Sequence, residues 1–276
     1  MFQGEKGNLK AKKETALITG ATSGIGYDFA KIFADKGYDL FLASRNQEKL
    51  DGIKDSFEKQ YEISVMTMAI DLSKVQSAKK VYEETRNKNV EINVLINNAG
   101  FGIHGEHIDL EMNKVQSMIH LNIMALTELC ALFGADMKKR RKGYILNIAS
   151  TASYQPVPYF AAYAATKSYV LNFSEALAKE MEDYQVVVTC LSPGATDTNF
   201  FDHAGIGDKE KGLFANNARM QSREVANTGV NALFAKKLSV ISGMKNSFLA
   251  FTNKFASRNM VATISKKLTK NAASKF

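Results

Sequence analysis

The sequence predicts one α/β domain, a doubly wound parallel sheet of about seven strands with helices on both faces and an amphipathic helical extension at the C-terminus. Three observations predict it. Short apolar runs alternate with longer helical patterns from residue 15 onward. Those runs lack in–out alternation, as strands covered on both faces do. A glycine-rich turn joins the first strand to the first helix, a junction at which such sheets take up ligands. With 276 residues, 45% of them hydrophobic, the chain has the length of one large domain and the side chains for its core.

The elements follow in order. Thr15–Thr19 is a short apolar strand, and the helix after the glycine turn reaches about Lys36. Tyr38–Ala43 is the second strand, followed by a charged helix over about Gln47–Gln60. Ile63–Ile70 is the third strand, with a helix over about Lys74–Arg86, and Ile92–Asn97 is the fourth. A long helix is expected over about Met112–Met137, then a strand at Gly143–Ala149. A second long helix covers about Phe160–Tyr184 and leads to a strand at Val186–Leu191. Ser239–Ile241 supplies a short seventh strand. Residues 1–243 are read as the domain, with a loop at about 195–221, and residues 244–276 as its extension.

Composition narrows the function classes. Residues 236–276 hold nine basic side chains and no acidic one, so the net charge of +8 leaves the rest of the chain at −1. The basic character belongs to the tail, which removes support for nucleic-acid binding by the domain. Cys130 and Cys190 both lie in apolar runs, which favours buried, reduced thiols and a cytoplasmic setting over a disulfide framework. The first fourteen residues are polar and lysine-rich, unlike a secretory signal. No uninterrupted apolar run of about 18 residues occurs, and no spanning helix is expected.

The first turn reads Thr19-Gly20-Ala21-Thr22-Ser23-Gly24-Ile25-Gly26. Glycines here permit a tight turn, close approach of backbone to a pyrophosphate, and close packing of helix on strand. The helix N-terminus adds free N–H groups and a positive dipole end. A site for NAD would carry a carboxylate at the end of the second strand, on the ribose 2′-hydroxyl. This chain has Ala43-Ser44-Arg45-Asn46 there. Arg45 can pair with a 2′-phosphate and stack on adenine, and Ser44 can hydrogen-bond the phosphate. The expected cofactor is therefore NADP(H).

The expected chemistry is hydride transfer at a carbonyl or alcohol, which needs a proton donor beside the hydride acceptor. Tyr163 and Lys167 are spaced to share one helix face. A lysine ammonium and a cationic nicotinamide would favour the phenolate, and a tyrosine near pKa 10 needs about 4 kcal/mol of such help to work near neutrality. The spacing alone proves little, because Tyr27 and Lys31 share it. Those two lie in the helix after the glycine turn and read as an ordinary, partly exposed pair. Tyr163 is singled out by Ser150, at the end of the fifth strand, which can donate to the same substrate oxygen.

Together these residues resemble the short-chain dehydrogenase/reductase family. Thr19–Gly26 is similar to its T-G-x-x-x-G-x-G loop, and Asn97-Asn98-Ala99-Gly100 to its N-N-A-G motif. Ser150, Tyr163 and Lys167 match its serine and Y-x-x-x-K, and Pro193-Gly194 its P-G turn. The resemblance covers about residues 14–200 and implies a Rossmann-type fold. It also implies that Asp71 bonds the adenine amino group, Leu72 lines the adenine pocket, and Asn97 lies near the adenosine ribose. It places Asn122 as the catalytic asparagine, holding a water that relays protons to Lys167. Asn98, Ala99, Gly100, Thr196 and Thr198 join the cofactor set. For Asp71 a helix N-cap remains the alternative, and for Asn122 a buried amide bonded to backbone. Family members often carry a basic residue in the glycine loop when they prefer NADP, whereas this chain has Thr22 and Ser23, so that preference rests on Ser44 and Arg45.

The substrate side is apolar in sequence. Tyr154, Pro156, Val157, Pro158, Tyr159 and Phe160 lie between Ser150 and the tyrosine, and Phe200, Phe201, His203, Leu213 and Phe214 follow Gly194, with glycines at 205, 207 and 212. They suggest a hydrophobic carbonyl substrate, such as an acyl, steroid or terpenoid ketone, or alternatively the packing of a lid or subunit interface. His203 reads as a surface residue. The tail from Met244 to Leu268 mixes apolar and basic residues at helical spacing. It could pack over the cleft or a neighbouring subunit, lie on an anionic membrane, or stay solvated. The two long helices would form the interfaces of a homo-dimer or homo-tetramer. Two other readings compete with a reductase: a non-catalytic NADP-binding sensor or membrane-recruited scaffold, and an enzyme that uses the tyrosine for dehydration or epimerisation.

Overall fold

The computed structural model describes residues 13–204, 219–253 and 255–270. Seven parallel strands form one sheet in the order β3-β2-β1-β4-β5-β6-β7. They are β1 (Thr15–Thr19), β2 (Asp39–Ser44), β3 (Val65–Ala69), β4 (Ile92–Asn97), β5 (Gly143–Ile148), β6 (Val186–Ser192) and β7 (Ser239–Ile241). One face is covered by α1 (Gly24–Asp35), α2 (Gln47–Gln60) and α8 (Ser222–Phe234), which comes after the short α7 (Phe200–His203) in the chain. The other is covered by α3 (Ser77–Asn87), the helix from α4 (Met112–Ile119) into α5 (Leu126–Arg140), and α6 (Ala161–Glu182). The order reverses between β1 and β4, so the chain leaves those two strands toward opposite faces and opens a crevice at their carboxyl ends.

Several expected boundaries move, each for a local reason. The third helix begins at Ser77 instead of Lys74, because Asp71 folds the chain into a turn first: its carboxylate accepts from Ser73 N at 3.0 Å and Ser73 Oγ at 2.7 Å. Gln76 then enters the helix in a left-handed conformation, so Asp71 is not the helix cap. The second strand runs from Asp39 to Ser44, and Asp39 turns its carboxylate to Ser64 N at 2.8 Å, away from any ligand. The third strand is shortened to Val65–Ala69. The fifth and sixth strands end at Ile148 and Ser192, and the helix expected over Phe160–Tyr184 is Ala161–Glu182.

The helix expected over Met112–Met137 runs on to Arg140 and widens to π-helical geometry over His120–Ala125. By length and composition it is long and apolar enough to cross a membrane, although polar residues interrupt it. Here it is a core helix: Met118, Leu129, Phe133 and Met137 are buried, the last three packed in the core with β4 and β5. Helix α8 was not expected at all. Its Val225, Ala226, Val230 and Leu233 pack against the same core as α1, and a glycine at 229 within that stripe masks its helical pattern.

Beneath the crevice the core holds a buried polar network, in which the Asn97 amide oxygen has no partner among the described residues. Asn97 Nδ2 donates to Asn147 Oδ1 at 2.9 Å, and Asn147 Nδ2 donates to Ser174 Oγ at 3.0 Å. Ser174 Oγ in turn donates to the Val170 carbonyl at 2.6 Å. Asn97 Nδ2 also reaches Cys130 Sγ at 3.3 Å. The network ties β4 and β5 to α5 and α6. Cys130 and Cys190 are buried and unbridged, and burial pushes both thiols up to about 12. Replacing Asn147 by Ala strands the Asn97 amide in an apolar interior. Chemical denaturation should show a loss of about 2–4 kcal/mol, and a loss below about 0.5 kcal/mol would mean that the network contributes nothing.

Candidate active site

A cleft of about 1210 Å³ runs along the carboxyl ends of the strands, large enough for a dinucleotide together with a substrate. Its floor at one end is the first turn. Thr19 Oγ1 accepts from Asn98 N and Ala99 N, both at 3.0 Å, and donates to the Ile96 carbonyl at 3.3 Å. Asn98 Nδ2 donates back to the Thr19 carbonyl at 2.9 Å. The two turns are thereby sewn together. A side chain at position 26 would place Cβ 2.2 Å from the Gly20 carbonyl oxygen. Gly24 has φ +52° and a Cβ there would lie 2.6 Å from Thr198 Cγ2. These glycines form a cradle that a Cβ would fill, and the first-turn N–H groups of α1 open into the cleft above it, so the residues present fit a pyrophosphate.

Gly20, Thr22, Ser23, Gly24, Ile25 and Gly26 line this end with Ser44, Arg45, Asp71 and Leu72. Thr22 Oγ1 and Ser44 Oγ are 2.9 Å apart, tying the glycine turn to the end of β2. Arg45 stands exposed at the rim. Burial alone would raise the Asp71 carboxyl, but the Ser73 bonds, Lys74 and Arg45 outweigh it and hold it below its ordinary value. Asp71 is therefore an anion at neutral pH, able to accept from an amino group.

Toward the other end Asn98, Ala99, Gly100, Pro193, Gly194, Thr196 and Thr198 line the cleft with Ser150, Tyr163 and Lys167. Ser150 caps the short turn Thr151–Tyr154, accepting from Ala152 N at 3.1 Å, and also hydrogen-bonds Tyr163. The Tyr163 ring sits between Phe160 and Phe200, with centroids 5.8 and 5.3 Å away. Lys167 donates to the Ile148 carbonyl at 2.8 Å, and its Nζ is 5.9 Å from the tyrosine ring centre. Burial pushes the phenol up to about 12, against the Ser150 bond, and pushes the Lys167 amine down to about 8. Both shifts come from desolvation. The lysine alone does not bring the tyrosine toward neutrality, contrary to the simplest reading of the motif.

Two asparagines, Asn122 and Asn97, are bonded within the protein. Asn122 is buried in the π-helical stretch, accepts from Phe101 N at 3.2 Å, and donates to the Phe101 carbonyl and Thr166 Oγ1, both at 3.0 Å. It is a bracket that fixes the loop after β4 on α6, and it does not line the cleft. Asn97 points into the polar network below the sheet rather than toward a ribose. Tyr27 and Lys31 lie on α1 away from the cleft, and Tyr27 packs on Phe57 with ring centres 5.7 Å apart.

The apolar wall is only partly the expected one. Val157, Phe160, Phe200 and Phe201 line the cleft. Tyr154 turns instead toward Ser192, and Tyr159 stands beside His104. Leu213, Phe214 and the glycines at 205, 207 and 212, expected in this segment, lie outside the described residues, as does the side chain of His203. The wall is completed from the tail, by α9 (Met244–Thr252) and α10 (Arg258–Lys270). Asn246, Leu249, Met260, Val261, Ile264 and Leu268 all face the cleft. Gln155, also a lining residue, accepts from Asn253 Nδ2 at 2.6 Å. Helical periodicity showed that the tail was amphipathic, but nothing in the sequence said which surface its apolar side met.

Among curated proteins the chain is 36% identical over 183 residues to very-long-chain 3-oxoacyl-CoA reductase-A of Danio rerio, covering 64% of this chain and 56% of that one. The chain thus spans little more than half the length of such relatives. It is 31% identical over 236 residues to the NADP-dependent 3-hydroxy acid dehydrogenase of Schizosaccharomyces pombe, covering 83% of this chain and 90% of that one. A short-chain dehydrogenase from Sphingobium yanoikuyae, solved in complex with NADPH, superposes with a TM-score of 0.79 at 28% identity, covering 88% of this chain and 93% of that one. Residues 14–209 match the family profile described as short chain dehydrogenase. With its seven-stranded sheet, its glycine cradle and this match, the chain belongs to the short-chain dehydrogenase family.

Proposed function

We propose that this chain is an NADP(H)-dependent oxidoreductase that interconverts a hydrophobic ketone and its secondary alcohol. The observation that carries the reading is the convergence of Ser150, Tyr163 and Lys167 between a dinucleotide cradle and an apolar wall in one cleft. When bound, the reduced nicotinamide supplies a hydride to the carbonyl carbon. Tyr163 Oη holds the proton that the carbonyl oxygen takes up as the new C–H bond forms. Ser150 Oγ, already hydrogen-bonded to that phenol, orients the oxygen. Lys167 lies on the path by which the proton is replaced, and Asn122 positions the loop facing it. A phenol held near 12 is fully protonated at neutral pH, the form that reduction consumes.

The choice of NADP(H) over NAD(H) rests on Ser44 and Arg45 at the end of β2, where a carboxylate would repel a 2′-phosphate. The NADPH complex of the Sphingobium yanoikuyae protein and the named cofactor of the yeast relative support it. A long acyl ketone suits the apolar wall, and the zebrafish relative's name supports that class. Residues 1–243 act as the catalytic domain, with the substrate loop at about 195–221, and the extension 244–276 acts on the substrate side. The exposed apolar side chains Met112, Met124 and Tyr169 on the two long helices support a homo-oligomer. A cytoplasmic enzyme in peripheral contact with a membrane completes the reading.

Three outcomes test it. Tyr163→Phe should lower kcat for NADPH-driven ketone reduction by about 10²–10⁴-fold, with NADPH binding retained in a fluorescence titration. An unchanged rate would remove the proton-donor role. Arg45→Asp should raise the KM for NADPH by about tenfold or more while NADH changes little, and wild-type enzyme preferring NADH would contradict the cofactor choice. Lys167 is lowered to about 8, so its charge is present below that pH and lost above it. The reductive kcat/KM should therefore hold on the acidic side and fall as pH rises through about 8, as a stopped-flow pH series would show.

A further inference from the structure

Helices α9 and α10 carry a large share of the chain's exposed apolar surface. Eight of the fifteen large hydrophobic side chains exposed among the described residues lie between Met244 and Leu268. They form two connected stripes. On α10, Met260, Ile264 and Leu268 recur every four residues, line the mouth of the cleft, and are each about half exposed, at 49%, 52% and 49%. On α9, Met244, Phe248 and Phe251 recur at helical spacing, point away from the cleft, and are 91%, 68% and 55% exposed. Phe255 joins the stripes, stacking edge-on to Phe251 at 5.1 Å while also lining the cleft.

The inner sides of both helices are anchored. On α10, Val261, Ser265 and Thr269 are buried, and the His104 ring bonds the Thr269 backbone. On α9, Asn246 packs on Gly194 and Asn253 bonds Gln155. The outward apolar surface is thus held in place by the fold. Its charge is one-sided: Lys245, Arg258, Lys266, Lys267 and Lys270 are exposed around it, and residues 236–276 contain no carboxylate. Lys267 follows Ile264 by three residues and so flanks the apolar ridge. A second copy of the chain would set this cationic rim against itself, whereas an anionic lipid surface complements it.

We infer that α9 and α10 seat the enzyme on an anionic phospholipid bilayer, so that the cleft mouth opens into the lipid and a membrane-dissolved ketone enters without crossing water. This deepens the proposed reductase reading and rests on it for the substrate class. The seat buries Met244, Phe248 and Phe251 among the acyl chains while the lysines meet the headgroups. The substrate passes over the Met260–Ile264–Leu268 ridge, which is both cleft wall and membrane edge.

The test uses the full chain with vesicles of phosphatidylcholine alone and with about one third phosphatidylserine. Flotation should recover the protein with the anionic vesicles and far less with the neutral ones. Lys266→Glu/Lys267→Glu/Lys270→Glu should weaken that binding by on the order of a hundredfold, and Phe248→Ser/Phe251→Ser should weaken it comparably. Neither variant touches the cleft, so both should reduce a short, water-soluble ketone at the wild-type rate while losing at least tenfold in rate on a long-chain ketone carried in anionic vesicles. Failure of the wild type to float, or an unchanged vesicle rate in both variants, overturns the proposal. So does a drop in oligomeric state by sedimentation in Phe248→Ser/Phe251→Ser with flotation intact, since the face would then pair copies of the chain. Loss of activity on both ketones in the wild type would count against the reductase reading, while flotation would still judge the membrane seat.

Discussion

The close approach of two backbones at the carboxyl ends of β1 and β4 is the constraint on which the rest of the molecule depends. Parallel strands that send their chains to opposite faces leave a gap there. Thr19 narrows it by accepting two N–H groups from the Asn98–Ala99 turn, and Asn98 answers with its own amide. Glycine at 20 and 26 then becomes obligatory, because the Asn98 amide and the Gly20 carbonyl occupy the space that side chains would need. The same sewing fixes residues 98–101, and Asn122 takes over from the far side by bonding both backbone groups of Phe101. The glycine cradle and the 98–101 loop are joined by these bonds into one unit.

That continuity explains how a partly buried tyrosine and a buried lysine coexist without pairing. Lys167 is drawn to the Ile148 carbonyl at the end of β5, and Tyr163 is held by Ser150 one turn further on. Each group pays for its burial in the neutral direction, the phenol rising and the amine falling. The separation leaves the phenol protonated and the lysine close to its titration point. A polar or cationic ligand above Gly100 would favour the phenolate, so the acid–base balance of the site is set by what occupies the cradle as well as by the side chains themselves.

Much of this was legible in the sequence, for identifiable reasons. The strand pattern followed from apolar runs that need no partner to be recognised, and the glycine turn from residue types that few other positions tolerate. Ser150 could be placed because a strand end fixes its side of the sheet. What could not be read depended on direction. Asn97 and Asn98 are adjacent in sequence, yet one enters the core beside Asn147 and the other clasps the glycine turn. Asn122 bonds the Phe101 backbone, the alternative that its sequence position left open, while its amide oxygen stays beside Gly100 near Lys167. Tyr154 and Tyr159 were expected on the substrate wall and leave it, while Gln155 between them stays. Alternation within an irregular loop carries no period from which such choices could be drawn.

The tail shows how far a surface property can be tied to the site. A side chain at position 194 would place Cβ 2.2 Å from Asn246 Nδ2, so α9 packs on the backbone of the Pro193–Gly194 turn itself. That contact is possible only because Gly194 has no side chain, and it brings the start of α9 against the same turn that borders the catalytic floor. From there α9 runs outward to Asn253 and Gln155, and α10 returns along the mouth to His104 and Thr269. Three anchors spaced along the two helices hold them at the cleft, and none of the three uses the outward apolar stripe of α9. An element so attached is part of the cleft wall. The glycine at 194 therefore lets the tail helix dock close enough to shape the cleft wall.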